Sequence, residues 1–525
     1  MGGSKTRKYA VIGCTVLMNW IIRNRRLSYI VIFSFALLAV AITIDISSES
    51  ADINNLSIFS QEEGIIISWS NRFSAKWDGF KLRIEREDKD GECYFYNLSD
   101  YENSLLFDKA VVGGCYRFEF LSAGYDAPII TLHHIHLKEE DYPRMDWIKI
   151  ETENGQLPQE NTDGERPYKA ASFTYYNADH IPTFSLSGFI KIRGNSTAVG
   201  TDKKPYRIKF TQDVSIFSDN HKEYVLLRSG NNLNQIIGSR VAFCCGVAGE
   251  PEYRYVNLEI NGDYRGCYIL TESIEDTFDS ISLGLGGFVV EQAPENRQNV
   301  KGERTFRTNN QDEFMAWSLY YPKDMISESR QGSINEYLQE IEDAICNNSD
   351  DIWQYIDITS FVCWVMAHDI LGTSDFYGSN MYVYRERFDE EDTKSGQLKI
   401  GPLWDFDSIY DMRNEWSGIH TGDVLHYDLL FERDDFREEY ARIWNNVYSY
   451  VEEDVLAYMY IEVANNGDLI GSWELDQKRW AYEEGESWNL RYYPPDMGTA
   501  WLQISDWMTN RTEWINEHVQ EGDFK

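Results

Sequence analysis

The chain has 525 residues, with 49 Lys and Arg against 86 Asp and Glu, and a formal net charge of −37 at pH 7. This acidity excludes a general nucleic-acid binder, because phosphate backbones are neutralised by clustered basic side chains. The length exceeds what one hydrophobic core usually organises, so two to four domains are expected at roughly 150 residues each.

The N-terminal region combines a basic tail with an apolar run. Residues 1–26 contain six Lys and Arg and no acid, and residues 27–44 contain no charged side chain. As a helix, the apolar run spans about 27 Å, enough to cross a bilayer. The positive-inside rule then predicts a basic cytoplasmic tail (1–26), a transmembrane signal anchor (27–44) and an extracytoplasmic remainder at the cell membrane. A cleaved signal peptide is the alternative, although the apolar run is longer than the hydrophobic region of a typical signal peptide.

A polar linker (45–55) is followed by a segment typical of an all-β domain (56–140). Six short runs with alternating apolar residues are separated by Gly, Asp and Asn, which predicts a β-sandwich. Trp69, Tyr116 and Phe118 resemble core positions of fibronectin type III modules. We interpret this domain as a spacer, with a protein- or sugar-binding module as the alternative. Cys93 and Cys115 flank two of the strands and could form a disulfide.

The remainder (142–525) divides by its hydrophobic period into two predicted lobes. Residues 142–330 are rich in strand patterns, including a hairpin with an Asn-Gly turn at Asn261, and one helical pattern spans 232–247. Residues 331–525 have mainly the helical period, interrupted by one hairpin over 380–407. The expected fold class is therefore α+β.

Three polar residues in this hairpin region have the spacing of a phosphoryl-transfer site. Asp375 and Asn380 lie five residues apart before the first strand of the hairpin, and Asp405 follows the second strand. Phosphoryl transfer needs oxygen ligands for a divalent metal and a further carboxylate that orients the acceptor hydroxyl, and protein kinases use this spacing. Because the chain has 86 acids, the spacing alone is weak evidence.

A kinase also needs a cation for the nucleotide phosphates, for which Lys209 is the candidate; an exposed strand lysine without such a role is the alternative. Lys209 lies on a predicted strand, as the phosphate-binding lysine of a kinase does, with Arg207 on the same face. The turn before this strand, formed by Arg193, Gly194, Asn195 and Ser196, could offer backbone N–H groups and hydroxyls to phosphate oxygens.

Six strings from residue 191 onward resemble the spore coat protein H (CotH) kinase family. They are KIRGNST, KKPYRIKF, EYVLLRSG, LEINGDYRGCYILTESIE, HDILGTSDFYGSNMYVY and GPLWDFD, in the family's order and spacing. The resemblance covers the chain from about Trp147 to its C-terminus. It implies an atypical, two-lobed, protein-kinase-like fold. It also implies transfer of phosphate from ATP, with Mg²⁺ or Mn²⁺, to Ser or Thr of secreted or surface proteins, including the kinase itself.

The resemblance also implies roles for individual residues. Asp375 corresponds to the catalytic aspartate, and Asn380 and Asp405 correspond to metal ligands, with Asp407 as an auxiliary carboxylate. Lys209 would contact the nucleotide phosphates, near the 193–197 turn.

The sequence departs from the family at three places. Ala198 stands where an aromatic or basic residue is frequent, and Gly238-Ser239 replace a basic-polar pair. The helix over 232–246 contains no acid that could pair with Lys209, although Glu272 or Glu291 could replace it.

These departures favour an alternative in which the chain is an inactive surface scaffold. A third hypothesis is a glycosidase, in which the aromatic segment 492–501 lines a sugar cleft between carboxylates.

Overall fold

The computed structural model describes residues 53–522, apart from several internal segments. The segments outside the description are 72–79, 90, 99–102, 123–126, 139–140, 195–197, 199–201, 229–232, 280–282, 284–285, 295–304, 310–314, 322–326, 374–379, 387–395, 410–415, 419–425, 465 and 481–496. Within the described ranges, no helix is both long and apolar enough to span a bilayer. The predicted anchor (27–44) lies outside these ranges.

Seven antiparallel strands form two sheets that share one apolar core. The strands are β1 (Ile53–Gln61), β2 (Gly64–Asn71), β3 (Phe80–Arg86), β4 (Cys93–Leu98), β5 (Ser104–Phe107), β6 (Cys115–Ser122) and β7 (Pro128–Ile135). One sheet has the order β1-β2-β5 and the other β4-β3-β6-β7. Alternate residues of both sheets, such as Ile65, Leu82 and Phe118, are buried between them. Strand β1 begins inside the predicted linker, and the fibronectin type III assignment stays a prediction.

Cys93 and Cys115 do not form a disulfide, since both are free. Strand β3 lies between β4 and β6, so these cysteines are separated by two strand spacings, about 10 Å. A disulfide requires Cα atoms within about 6.8 Å of each other, and this order of strands prevents that.

The first part of the following domain is a closed barrel of seven strands. Its strands are β8 (Trp147–Thr152), β9 (Lys169–Tyr176), β10 (Pro182–Ile192), β11 (Tyr206–Ser215), β12 (Asn220–Arg228), β13 (Tyr253–Ile260) and β14 (Asp263–Glu272). They are ordered β10-β11-β12-β14-β13-β8-β9, and β8 pairs in parallel with β13. Between β12 and β13 the chain forms helix α1 (Asn234–Cys245), as the helical period predicted.

A second sheet crosses the boundary predicted at residue 330. Its strands are β15 (Phe288–Pro294), β16 (Thr305–Phe306), β17 (Met315–Tyr321), β18 (Tyr382–Arg385) and β19 (Leu398–Ile400). Because β15 pairs with β17 on one side and with β18 on the other, strands from both predicted lobes form one structural unit.

Helices bury the second sheet and one outer face of the barrel. They are α2 (Ile274–Asp279), α3 (Glu328–Cys346), α4 (Ile358–Leu371), α5 (Tyr427–Phe431), α6 (Asp434–Val447), α7 (Val451–Met459), α8 (Gly467–Arg479) and α9 (Met497–Glu521). The large core around α4 also includes residues of α1, such as Ile237 and Val241, so α1 packs within the helical part.

Candidate functional site

The hairpin of β18 and β19, a ribbon at the edge of the second sheet, brings two predicted metal ligands to the same end. Val383 pairs with Ile400, and the backbone N–H of Gly401 donates to the carbonyl of Tyr382 at 3.0 Å. Asn380 therefore enters the ribbon at the end where Asp405 leaves it. Asn380 is buried and Asp405 is half-buried.

Asp405 has a backbone conformation that non-glycine residues rarely adopt. Its φ is 62° and its ψ is 79°. Such conformations are strained and are concentrated at functional sites, where the surrounding structure holds them. The next residues form a short 3₁₀ turn, Phe406–Ser408, which contains Asp407.

Helix α1 fixes the residue that follows Asp405. A β-carbon at Gly238 would lie 2.1 Å from Cδ1 of Phe406, so the phenyl ring occupies the space beside the glycine. The side-chain amide of Asn234 donates to the carbonyl of Phe406 at 2.9 Å. Gly238, one of the family departures, therefore makes room for the aromatic residue of the Asp-Phe pair.

The turn that begins at Arg193, after β10 of the barrel, reaches the same segment through the Arg193 side chain. The Arg193 guanidinium lies 5.8 Å from the centroid of the Trp404 ring, within the range of a cation–π contact. Trp404 is the residue before Asp405, and it packs in an apolar cluster with Phe278 and Tyr382. Gly194 follows Arg193, and its carbonyl accepts a hydrogen bond from Arg166. Asn195 and Ser196 lie outside the described residues.

Lys209 pairs with a carboxylate on the neighbouring strand. Its ammonium donates to Glu223, which also accepts from Arg207 at 2.7 Å. Despite the effect of burial, these two cations hold the pKa of Glu223 below its usual value. Glu272 contacts the backbone N–H of Glu252 instead, at 3.0 Å.

Lys209 and its partner Glu223 lie on the outer face of the barrel. In β11, Ile208 and Phe210 point into the barrel, so Lys209 lies on its outer face. On β12, Glu223 shares its outer face with Leu227, which packs against the helical core.

The predicted catalytic residue, Asp375, lies outside the described residues, but the structure describes the helix that leads to it. Helix α4 ends at Leu371, and Gly372 caps it in the left-handed region with a φ of 54°. A β-carbon at Gly372 would lie 2.3 Å from the Trp507 ring. The chain is therefore tightly packed at Gly372, the cap of α4, three residues before Asp375.

Arg511, on α9, links this helix end to the segment after Asp405. Its Nε donates to the carbonyl of Asp369 at 2.7 Å, and its Nη2 donates to the carbonyl of Gly418 at 2.9 Å. The side chain is fully buried. No motif in the sequence pointed to Arg511, because its partners are backbone carbonyls about 90 to 140 residues away in the chain.

Glu250 is a second residue that sequence reasoning missed. Its Oε1 accepts from the backbone N–H of Leu403 at 3.3 Å, two residues before Asp405. Its Oε2 is buried, and no hydrogen-bond partner for it is found among the described residues. Burial raises the pKa of Glu250 well above its usual value, and this favours the neutral form.

Asn380 and Asp405 are of the residue types that suit a magnesium ion bound together with a nucleotide. Among the residues that the structure describes, no group of three or more His, Cys, Asp or Glu has the arrangement of a metal site. Mg²⁺ commonly takes one or two protein oxygens, with waters and phosphate oxygens completing its shell. Asn380 and Asp405, at one end of a ribbon, supply an amide and a carboxylate of that kind.

Comparison with known proteins identifies one family. The model of the CotH kinase protein family matches residues 190–515, which include the barrel strands from β11 onward, the second sheet and almost all of the helices. No curated protein matches the chain.

Proposed function

Because this chain belongs to the CotH kinase protein family, we propose that it transfers the γ-phosphate of ATP to Ser or Thr of surface or secreted proteins, and to itself. The observation that carries this proposal is the shared position of Asn380 and Asp405 at one end of the β18–β19 ribbon, with Arg193 in cation–π range of Trp404, the residue before Asp405.

In this proposal each side chain has one task. Asn380 and Asp405 would hold Mg²⁺ or Mn²⁺, which neutralises charge on the phosphates, and Asp407 is an auxiliary carboxylate. Asp375 orients the acceptor hydroxyl and takes its proton. Arg193, Lys209 and the 193–197 turn bind the phosphate oxygens through charge-assisted hydrogen bonds.

The proposed location follows from residues 1–44. An uncleaved anchor over 27–44 would hold the chain at the cell membrane, with the sandwich and the kinase domain outside. Protein substrates at the cell surface are the partners expected for that arrangement, and the net charge of −37 argues against nucleic acid.

The test is transfer of labelled phosphate from [γ-³²P]ATP by the full chain, with Mg²⁺ or Mn²⁺. Autophosphorylation and a pooled surface-protein fraction both serve as acceptors. Asp375→Ala and Asp405→Ala should each lower incorporation by about a thousandfold, because each removes an essential charge from the transition state.

The matched control is Asp350→Ala, an exposed aspartate after α3 that should leave incorporation unchanged. Wild-type incorporation in both site variants would contradict the assignment. Metal-independent incorporation would contradict the role of Asn380 and Asp405.

A second candidate function is a surface scaffold that does not catalyse. The hydrogen bond from Lys209 to Glu223 favours the scaffold, because an ammonium that is already paired with a carboxylate attracts a phosphate less strongly. Calorimetric titration of ATP into the full chain separates the two candidates, since a scaffold should give no metal-dependent heat.

A further inference from the structure

A cavity of about 390 Å³ lies where the sandwich, the barrel and α8 meet. The sandwich contributes Ile58 to Ser60 of β1 and the end of β7, and α8 contributes Leu475. Among the described residues of the proposed kinase site, Arg193, Lys209, Asn380 and Asp405 do not line this cavity. The volume is in the range of small-molecule sites, which are usually few in a protein.

The wall on the sandwich side is fixed before any ligand binds. The Ser60 hydroxyl accepts from the backbone N–H of Leu137 at 3.1 Å and contacts Nε2 of His134 at 3.0 Å. These contacts join β1 to β7 and to the residue Leu137 after it. This wall of the cavity is therefore held by hydrogen bonds between two strands.

Aromatic rings form much of the opposite wall. The Trp147 ring lies 5.7 Å from that of Tyr142, 5.7 Å from that of Tyr264 and 6.2 Å from that of His180, measured between ring centroids. Tyr176 also lines the cavity. Trp147 and Tyr264 are themselves buried, so the half-buried Tyr142 and Tyr176 and the exposed His180 are the rings that offer apolar surface to a ligand.

His180 is held in this wall by a strained turn. Its φ is 57°, in the left-handed region. The side chain of Asn177 closes the turn by accepting from the backbone N–H groups of Asp179 at 3.1 Å and Ile181 at 2.9 Å. Strain of this kind is concentrated at functional sites and ligand clamps.

One ion pair provides the charged groups beside the rings. Lys149 Nζ lies 3.4 Å from Glu259 Oε2, and the two side chains are 42% and 13% exposed. An ammonium has three N–H donors and a carboxylate has two acceptor oxygens, so this single contact leaves both groups able to form further hydrogen bonds with a ligand.

These groups discriminate between classes of ligand. A quaternary ammonium would suit the rings, but Lys149 already places a cation 5.9 Å from the centroid of Tyr176. An anion would meet the carboxylates of Glu259 and Asp179. A purely apolar ligand would bury the Lys149–Glu259 pair without giving it hydrogen bonds.

We propose that the cavity binds a neutral saccharide, with one face of a pyranose ring on the aromatic wall and its hydroxyls bonded to Lys149 and Glu259. A pyranose has C–H groups on its faces and hydroxyls that both donate and accept, so it satisfies both kinds of surface. The ligand would contact the sandwich and the barrel together, and binding should therefore stabilise their junction.

The test is saturation-transfer NMR on the full chain with glucose, galactose, N-acetylglucosamine and their β-1,4-linked disaccharides. At least one saccharide should give transfer to its ring protons. Lys149→Met, Glu259→Gln and His180→Ala should each weaken its binding by about tenfold, since each removes one hydrogen-bonded or ring contact.

Lys89→Met is the matched control, because Lys89 forms an exposed pair with Glu92 in the sandwich, away from the cavity. It should leave saccharide binding unchanged. The proposal is overturned if no saccharide gives transfer, if binding survives in the three cavity variants, or if choline or acetate binds there instead. Phosphoryl transfer by the same preparations reports separately on the kinase proposal.

Discussion

Gly238 and Phe406 are in direct contact across the boundary between α1 and the segment that contains Asp405. A β-carbon at position 238 would lie 2.1 to 2.5 Å from three atoms of the phenyl ring, closer than packed atoms approach each other. The position of Asp405 therefore depends on a glycine in a neighbouring helix. In protein kinases the packing of the phenylalanine in the Asp-Phe-Gly motif sets the active or inactive state, and under the proposed function Phe406 would take that place.

We expect Gly238→Ala to lower phosphoryl transfer, because the ring of Phe406 must move and Asp405 is the residue before it. Overpacking of this kind costs about 1–3 kcal/mol, more than the roughly 1 kcal/mol that alanine gains over glycine within a helix. Incorporation of labelled phosphate and urea unfolding measure the two effects.

Gly332→Ala is the control for this substitution. Gly332 lies within α3, and a β-carbon there would meet nothing within 4 Å. It should keep activity and gain up to about 1 kcal/mol of stability. Equal activity in the two variants would show that the position of Phe406 does not matter for transfer.

Glu223→Gln tests whether the ion pair between Glu223 and Lys209 contributes to ATP binding. We expect the KM for ATP to rise about two- to tenfold, because Lys209 loses the carboxylate that orients it. Glu92→Gln is the control, since Glu92 also accepts from one lysine and one arginine, Lys89 and Arg86, but lies in the sandwich. A lower KM in Glu223→Gln would instead indicate that Glu223 holds Lys209 away from the phosphates.

Arg511→Lys tests whether the helix end before Asp375 is positioned from α9. Lysine keeps the charge but cannot donate in the three directions that Arg511 uses, so carbonyls of α4 and of the 416–418 segment lose a donor. We expect kcat to fall about tenfold or more while the KM for ATP changes little, because the substituted group touches neither substrate. Steady-state kinetics at varied ATP concentration measures both constants.

Arg442→Lys is the control for charge and size. Arg442 pairs with Glu439 on the surface of α6, where its side chain is 58% exposed. Its kinetics should equal those of the wild type. A rise in KM without a fall in kcat for Arg511→Lys would contradict a positioning role.

Local patterns in the sequence predicted local elements well. Six runs between residues 56 and 140 were predicted to be strands, and β2 to β7 lie in that range, because alternation and turn residues are properties of neighbouring residues. The Asn-Gly hairpin was also confirmed, since both Asn261 and Gly262 have the positive φ that this turn requires.

Contacts between distant segments could not be predicted. The barrel closes because β8 pairs with β13, about 110 residues later, and no period of the sequence encodes that pairing. The contact between the Arg193 guanidinium and the Trp404 ring likewise joins residues about 210 positions apart in the chain, and no local pattern predicts it. Sequence order identified Asn380 and Asp405 as candidates, whereas the surroundings of Asp405 followed only from the packing of α1 and of Arg193 against that segment.

Asp263 connects the sandwich, the barrel and α8, and its ionisation should affect the stability of that junction. Its carboxylate accepts from the backbone N–H of His133 at 2.8 Å and from Arg265 at 2.7 Å, and it lies 3.6 Å from Arg479. Burial alone would raise the pKa of Asp263, but the two guanidinium groups hold it below its usual value.

Because the pKa of Asp263 is lower in the folded state than in the unfolded state, its contribution to stability is complete above a pH of about 4 and is lost as the pH falls through the folded-state pKa. We expect Asp263→Asn to lower the free energy of unfolding by about 3–5 kcal/mol at pH 7, since two buried guanidinium groups lose their carboxylate. Urea unfolding from pH 2.5 to pH 7 should show a smaller loss of stability on acidification in this variant than in the wild type. Asp350→Asn, an exposed substitution, should follow the wild-type curve, and parallel curves for Asp263→Asn and the wild type would contradict the role of this carboxylate.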